Sequence, residues 1–536
     1  MCREHGIHAE CAVAGSRVVT VRIGNLTLRD SYALAPLPLA KFAAFGGGAG
    51  KGDFDHSQSH PDMSQDLWRD LETYLERDCR VLADSLRGFF ATAHELEIEL
   101  RPTIGACAFA TAQRELGLSK EPLPPVIYHA TRQAYYGGRC QVLRTEAPSG
   151  HRYDINSAYP FALATQSVPL GDPEYYSGAD ARRAYRYGAE GAFTAAVHVP
   201  ECHIPSLPVR TPNRIAYPLG AFTGCWTGRE LRYAESLGVQ VEVLSAWAYA
   251  ESHVLFGEFM EHFFSYRASV GKNTPQGLGI KLLINSLTGK FAQSPETETV
   301  HVAPDDDRVR VCPGGDCEES GACAADRPAT RSGRPTQCCD HRCTGHCRRW
   351  NLLGRGVWSE PVYRIAPNAR PIWAAYLTAA TRVQLHQMLT ADGRGGTTAV
   401  YCDTDSCYAT HPRAHGTPDV LGDWSYDGQF RDFRALAPKA YAYDSPDGDP
   451  KQACKGVPAL NRARFEQYAK GNAVPVRVGV SGLKTAARTG RLFARAEVAR
   501  ANRADGSWFG DRVKCKNSPL TRPQTLRTIL AHEGKR

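Results

Sequence analysis

The sequence predicts an α+β chain built from several domains, and three observations carry that prediction. The chain has 536 residues, 42% hydrophobic and 22% charged, which is enough for two to four domains that each bury a core. Strand-like runs broken by Gly and Pro recur, among them "SRVVTVRI", a long section after Tyr128, and "TTAVYCDTDSCYATH". Between them lie segments of helical period: Asp66 to Phe90, Gly257 to Gln293, and the apolar "APNARPIWAAYLTAATRVQLHQML".

In chain order, the first 120 residues mix strands with the Asp66–Phe90 helix. There Leu67, Leu71, Tyr74, Leu75, Leu82 and Leu86 recur near a helical period. The preceding "GGGAGKGD" departs from a phosphate loop: Phe45 stands where the first glycine belongs and Gly52 where Ser or Thr belongs. It reads as a flexible loop. Gly257 to Gln293 reads as a helical hairpin broken at "NTPQG". From about Asp305 to Arg349 the chain is rich in Cys, Arg, Gly and Asp and too poor in apolar residues to build an unaided core. No internal repeat is found.

No stretch reaches the roughly 20 apolar residues of a membrane span, and "MCREHGIHAECAVAG" lacks the apolar centre of a signal peptide. A cytoplasmic protein without a membrane partner is expected. The net charge of +8 is uneven: Lys455 to Arg536 holds 18 Lys plus Arg against 5 Asp plus Glu, a local +13, so the other 454 residues carry −5. A basic lobe suited to phosphates and a solvated tail both fit that count. Phe465, Tyr468, Phe493, Trp508 and Phe509, interleaved with the cations, favour the lobe.

Aspartate is disfavoured in strands and costly to bury as an ion, yet "YCDTDSCY" sets Asp403 and Asp405 side by side in an apolar strand. A third acid, Asp154, lies in "HRYDINSAYPFAL", where Asn156, Ser157 and Pro160 suit a turn into a helix. Three carboxylates from two segments can hold two divalent ions, and hard oxygen ligands point to Mg²⁺ or Mn²⁺. Capping and turn chemistry at each Asp is the alternative. In "KLLINSLTGKFAQ", Lys281, Asn285 and Thr288 share a helix face, where a Lys can meet a triphosphate; a solvated face is the other reading.

In order and spelling these segments resemble the family B DNA polymerases. "DINSAYP" resembles Asp-x-x-Ser-Leu-Tyr-Pro, "KLLINSLTG" resembles Lys-x-x-x-Asn-Ser-x-Tyr-Gly, and "YCDTDS" resembles Tyr-x-Asp-Thr-Asp-Ser. "PKAYAY" is similar to the Lys-x-Tyr motif and "YYGGR" to the Tyr-x-Gly-Gly element. The spacings are most similar to those of the protein-primed branch, which copies linear phage and plasmid genomes. "AFTGCWTGRELRYAESLGVQVEVL" looks like part of that branch's extra subdomain.

The resemblance implies a right-hand polymerase with a palm on an antiparallel sheet, helical fingers and a thumb, preceded by a partial RNase H-like exonuclease domain. The implied boundaries are 1–127 for that partial domain and 128–256 for the first part of the palm, with an insertion at about 191–250. The fingers follow at 257–303, a Cys-rich insertion at 304–350, the second part of the palm at 351–454 and the basic thumb at 455–536. Asp154, Asp403 and Asp405 would be catalytic, with Asp154, Asp405 and the carbonyl of Ile155 holding two Mg²⁺ or Mn²⁺ ions. Ser157, Tyr159, Lys281, Asn285, Lys272 and Arg267 would bind the nucleotide, Tyr159 excluding a ribose 2′-hydroxyl. Tyr135, Gly137, Gly138, Lys439 and Tyr441 would hold DNA and the primer end. Template-primer DNA, dNTPs and a terminal protein primer are the implied partners.

There are departures. Thr288 stands where the family usually has Tyr, and Ala158 replaces Leu. "YLERD" matches the third exonuclease motif at Tyr74 and Asp78, but the earlier acidic motifs have no counterpart in the first 25 residues, so no 3′-to-5′ exonuclease activity is expected. In the insertion, Cys338, Cys339, Cys343 and Cys347 with His341 and His346 offer ligands for one structural Zn²⁺, and Cys312, Cys317 and Cys323 could complete it or help bind a second. A disordered, redox-sensitive loop is the competing reading. For the whole chain the alternatives to a templated polymerase are a degenerate, non-catalytic DNA-binding replication factor and a primer-independent polymerase.

Overall fold

The computed structural model describes residues 7–14, 17–47, 50–55, 63–302, 351–354, 357–417, 420–454, 457, 461–478, 496–500 and 507–534. All nine Cys and His residues offered as zinc ligands, and the whole 304–350 insertion, lie outside the described residues. The chain forms two compact units. One comprises 1–36, 294–366 and 477–496, the other 37–293, 367–476 and 497–536.

The smaller unit is built on a six-stranded antiparallel sheet in the order Asn351–Gly354, Val357–Tyr363, Glu296–Val302, Ala9–Ala14, Arg17–Ile23, Leu26–Arg29. Period-two alternation puts Cys11, Val300 and Val357 on one face, where Val18, Val21 and Val302 pack against them. This departs from the expected partial exonuclease domain at 1–127. The first three strands form one sheet with Glu296–Val302, which pairs with Ala9–Ala14, whereas 37–127 belong to the other unit and contain no strand among their described residues. The same pairing shortens the fingers at their C-terminal end and takes Asn351–Tyr363 out of the palm.

In the larger unit, Gln65–Glu95 forms one long helix. The Ser64 hydroxyl accepts the Leu67 N–H (3.3 Å), a cap worth about 1 kcal/mol. Tyr74, Val81, Ser85 and Phe89 make its buried stripe. Gly88 lets the Phe45 carbonyl approach to where a Cβ would stand 2.0 Å away, so the segment carrying Phe42 and Phe45 docks closely on the helix.

The palm is a seven-stranded antiparallel sheet in the order Pro450–Cys454, Ala440–Asp444, Trp424–Ala437, Glu146–Ile155, Ser406–Ala409, Ala399–Asp403, Cys140–Val142. One face packs Tyr153, Cys402 and Cys407 against Leu385, Met388 and Leu389 of the helix Pro371–Thr390. The other carries an aromatic layer of Tyr401, Tyr408, Phe430, Phe433 and Tyr443, with Tyr441 packed against it. The fingers are two helices, Gly257–Val270 and Pro275–Phe291. Pro275 opens the second helix, the Thr274 hydroxyl accepts the Gly277 N–H (3.1 Å), and a Cβ at Gly277 would meet the Gly271 carbonyl at 2.1 Å.

The inserted subdomain begins earlier than about 191. Its four-stranded sheet, in the order Gly220–Thr227, Glu190–Val199, Gln240–Tyr249, Glu174–Ser177, starts at Glu174 and encloses its own core around Phe193 and Trp226. The expected basic thumb also divides. Its last part is stitched into the palm: Thr521 N–H donates to the Leu143 carbonyl (2.9 Å) and Gln141 Nε2 donates to Asp511 (2.7 Å). Arg512, fully buried, donates to His203 O (2.9 Å) and Thr521 O (2.7 Å). A buried guanidinium already spent on carbonyls cannot grip phosphates, so that cation drops out of the expected DNA surface.

Candidate active site

Asp154 is the penultimate residue of the central palm strand. Tyr153 and Ile155 point into the core, so Asp154 faces the opposite side. Ser406 pairs with Asp154 across the ladder, and the Ile155 N–H donates to the Asp405 carbonyl (2.9 Å). The two acids, 251 positions apart in sequence, are therefore brought together, Asp154 near the end of its strand and Asp405 in the turn that leads into Ser406–Ala409.

Asp403 and Asp405 do not lie in one continuous strand, as their alternating surroundings suggest. The chain reverses between them: Asp403 pairs with Ser406, and Thr404 (φ 64°) is the centre of a tight turn closed by the Asp405 N–H on the Asp403 carbonyl (2.8 Å). A β-branched residue at positive φ is strained by roughly 1–3 kcal/mol and needs outside support. Thr404 N–H donates to the Arg139 carbonyl (2.6 Å), and a Cβ on Gly138 would stand 2.7 Å from the Thr404 methyl. Gly138 thus belongs to the support of the acidic turn, and Gly137 is open by comparison.

Lys439 is the tip of the next hairpin, also at positive φ (63°). Its Nζ lies 2.7 and 2.8 Å from the two Asp403 oxygens, and its N–H donates to the Tyr401 hydroxyl (3.0 Å). Asp403 is therefore neutralised by a cation of the chain itself. Asp154 and Asp405 have no ion-pair partner among the described residues. Burial, then the Asp405 and Asp427 charges, push Asp154 up to about 7, with Lys281 acting against them. Burial also raises Asp405, reinforced by Asp403 and opposed by its own backbone N–H, Lys439 and Lys281.

Around these acids stand several of the other residues singled out in the sequence. Tyr159 is pushed up to about 12 by burial first, and then by Tyr135 and Asp405. Ser157 (φ 55°) turns the chain into the helix Ala158–Thr165. Lys281 is exposed on the second fingers helix, Asn285 is half-buried, and Thr288 is only 6% exposed. Thr288 therefore presents no open surface in place of the family's Tyr. Arg267 is 9% exposed, and its Nε donates to the Gly277 carbonyl (3.1 Å), a bond that closes the fingers turn. Lys272 is exposed, and lines a cavity of about 460 Å³ with Arg267 and Asn156. Tyr441 packs against Tyr401 with the rings tilted by 50° and their centroids 4.7 Å apart. Tyr74 is buried in the first long helix, and Asp78 accepts the Gly52 N–H (3.0 Å).

Sequence reading missed the scaffold behind the Tyr-x-Gly-Gly element. Arg382, on the apolar helix Pro371–Thr390, forms a buried two-point pair with Glu230 (2.9 and 2.9 Å) and donates to the carbonyls of Tyr136 (2.7 Å) and Gly137 (3.1 Å). Arg139, 1% exposed, grips Gln141 and the Pro205 carbonyl and lies over the Tyr217 ring at 4.0 Å. A lone arginine inside an apolar helical run was the available signal for Arg382.

A family model described as DNA polymerase type B, organellar and viral, matches residues 57–312. A probable DNA polymerase of Ascobolus immersus is 27% identical over 268 residues, 48% of this chain and 22% of the relative. The DNA-directed DNA polymerase of Enterobacteria phage PRD1 is 29% identical over 293 residues, 53% of this chain and 48% of the relative. The chain spans less than half the length of either relative. Among solved structures, phi29 DNA polymerase complexed with primer-template DNA and incoming nucleotides superimposes with a TM-score of 0.60 at 17% identity, covering 86% of this chain and 81% of that one. The chain has the right-hand fold of that polymerase, and over residues 57–312 its sequence is similar to the organellar and viral type B DNA polymerases.

Proposed function

We propose that this chain is a DNA-directed DNA polymerase that adds dNTPs to a primer 3′-hydroxyl, starting from the hydroxyl of a terminal protein, in the replication of a linear plasmid or phage genome. The observation that carries it is the pair of half-buried carboxylates with no ion-pair partner among the described residues, Asp154 near the end of the central palm strand and Asp405 in the turn hydrogen-bonded to that strand end. Two desolvated acids, each raised by burial and by a neighbouring carboxylate, fit divalent cations of the Mg²⁺ or Mn²⁺ type. When bound, such ions activate the attacking hydroxyl and neutralise charge on the transferred phosphoryl group.

The remaining steps belong to the chain. Asp154, Asp405 and the Ile155 carbonyl would hold the ions, and Lys439 fixes Asp403. Lys281, with Lys272, offsets the triphosphate charge, while Arg267 sets the fingers turn that presents them. Tyr159 lies under the sugar and excludes a 2′-hydroxyl by contact, and Tyr441 steadies the primer end. The exposed cations after Lys455 hold duplex phosphates without reading sequence. No helix among the described residues is long and apolar enough to cross a membrane.

The test is extension of a primed template, a bare template and a candidate terminal protein, each set beside Asp405→Ala. Extension of the first and third that Asp405→Ala abolishes is expected; equal extension by both proteins contradicts the proposal. Asp78 is held by a backbone amide and joins no cluster of three metal-ligating groups among the described residues, so we assign no proofreading to it. Metal-dependent release of mononucleotides that Asp78→Ala removes would refute that assignment.

A further inference from the structure

The six-stranded sheet has a polar face opposite its valine face, and on it two imidazoles and a carboxylate converge. Glu10 lies directly across from His301 in the ladder, and His8, two residues before Glu10, projects to the same side. His8 Nε2 and His301 Nδ1 face one another at 3.4 Å. One ligand atom from each of His8, Glu10 and His301 lies within 4.8 Å of the other two.

The partner of His301 is of the kind that a metal-binding histidine requires. On the neighbouring strand, Glu360 shares this face, and its Oε2 lies 3.0 Å from His301 Nε2. That carboxylate draws the imidazole proton to Nε2 and leaves the Nδ1 lone pair directed at His8 and Glu10. His301 is 4% exposed, so the pair is fixed rather than swinging in water.

We propose that His8, Glu10 and His301 bind one Zn²⁺ ion, with Glu360 as the residue that orients His301. Two nitrogens each about 2.0–2.1 Å from a tetrahedral zinc stand roughly 3.3–3.4 Å apart, the separation found between the two imidazoles. Two nitrogens and one carboxylate oxygen suit borderline Zn²⁺ better than the hard cations assigned to the palm. The ion ties the strand Ala9–Ala14 to Glu296–Val302, partners that close a loop of almost 300 residues. A bare hydrogen bond between two histidines is the competing account, and it predicts no dependence on metal.

The experiment uses the full chain, stripped with a chelator and titrated with Zn²⁺, alongside His8→Gln, His301→Gln and Glu360→Gln. Differences from wild type are read, because the cysteines of the 304–350 segment can take zinc of their own. The expected result is the loss of one tight equivalent in each histidine variant, and a 10- to 100-fold weaker but retained equivalent in Glu360→Gln. With Co²⁺ in place of Zn²⁺, the spectrum lost in His301→Gln should lack sulfur charge-transfer bands. Should His301→Gln fold poorly, His8→Gln, altered outside the ladder, gives the same reading. Wild-type stoichiometry and affinity in a folded His8→Gln protein, or no tight zinc in wild type beyond that held by cysteine, overturns the proposal.

Discussion

Gly138 and Thr404 meet at a separation that leaves no room for a methyl group, and the strained turn they share sets where the Asp405 carboxylate points. Gly138→Ala is expected to lower the rate of nucleotide addition about 100-fold with the fold retained, the scale of an ångström-sized misplacement of a reacting group. Adding Thr404→Gly removes the opposing side chain and relieves the turn, so the double variant should recover much of the loss. Steady-state extension rates with circular dichroism as the fold control check this; a fully active Gly138→Ala would show that the turn tolerates displacement. The sequence displayed the three acids but not this turn. "DTDS" lacks the Asn-Gly or Asp-Gly signature of a tight reversal, and the alternation of its neighbours runs through it unbroken. Lys439 on Asp403 was likewise illegible, since nothing local links residues 36 apart.

The helices were the most legible elements, because their periodicity and caps are local. The long first helix and the fingers hairpin lie within a few residues of where spacing puts them, although the buried stripe of the first runs through Val81, Ser85 and Phe89 and leaves Leu75 exposed. The strands were legible but their partners were not: Ala9–Ala14 pairs with a segment nearly 300 residues away, and no alternation pattern names its neighbour. On the palm helix, His386 Nε2 meets the Ile204 carbonyl (2.9 Å), and its Nδ1 meets the Tyr233 hydroxyl (2.8 Å). Burial, helped by Arg139, pushes it down to about 4. A histidine whose pKa is about 6.5 unfolded and about 4 folded contributes fully above pH 6.5, and its contribution is lost as pH falls toward 4. His203, pushed to about 4 by burial and Arg512, adds to the same loss. Unfolding free energies at pH 7, 6 and 5 should therefore fall, and His386→Gln should shallow that slope by about 1.4 kcal/mol per pH unit. An unchanged slope in the variant would place the acid sensitivity elsewhere.

Across the larger unit, one buried ion pair joins three regions that the sequence keeps apart: Glu230 of the inserted subdomain, Arg382 of the palm helix, and the Tyr136 and Gly137 carbonyls of the Tyr-x-Gly-Gly element. Glu230→Gln leaves a buried guanidinium uncompensated and should cost about 3–5 kcal/mol of stability, whereas a double change to apolar residues of similar volume should cost less. Equal losses in denaturant melts of the two proteins would contradict that. The charge count that predicted a basic lobe counted Arg512, which is buried, because composition carries no information on burial. The central claim, that Asp154 and Asp405 act as one unit, is tested most directly by rapid-quench rates of single-nucleotide addition in Asp154→Asn, Asp405→Asn and the double variant. Each single substitution should cost about 10³-fold or more, and the double scarcely more than either, as for residues that share one task. Near-wild-type addition by either single variant, or losses that multiply in the double, would contradict the account.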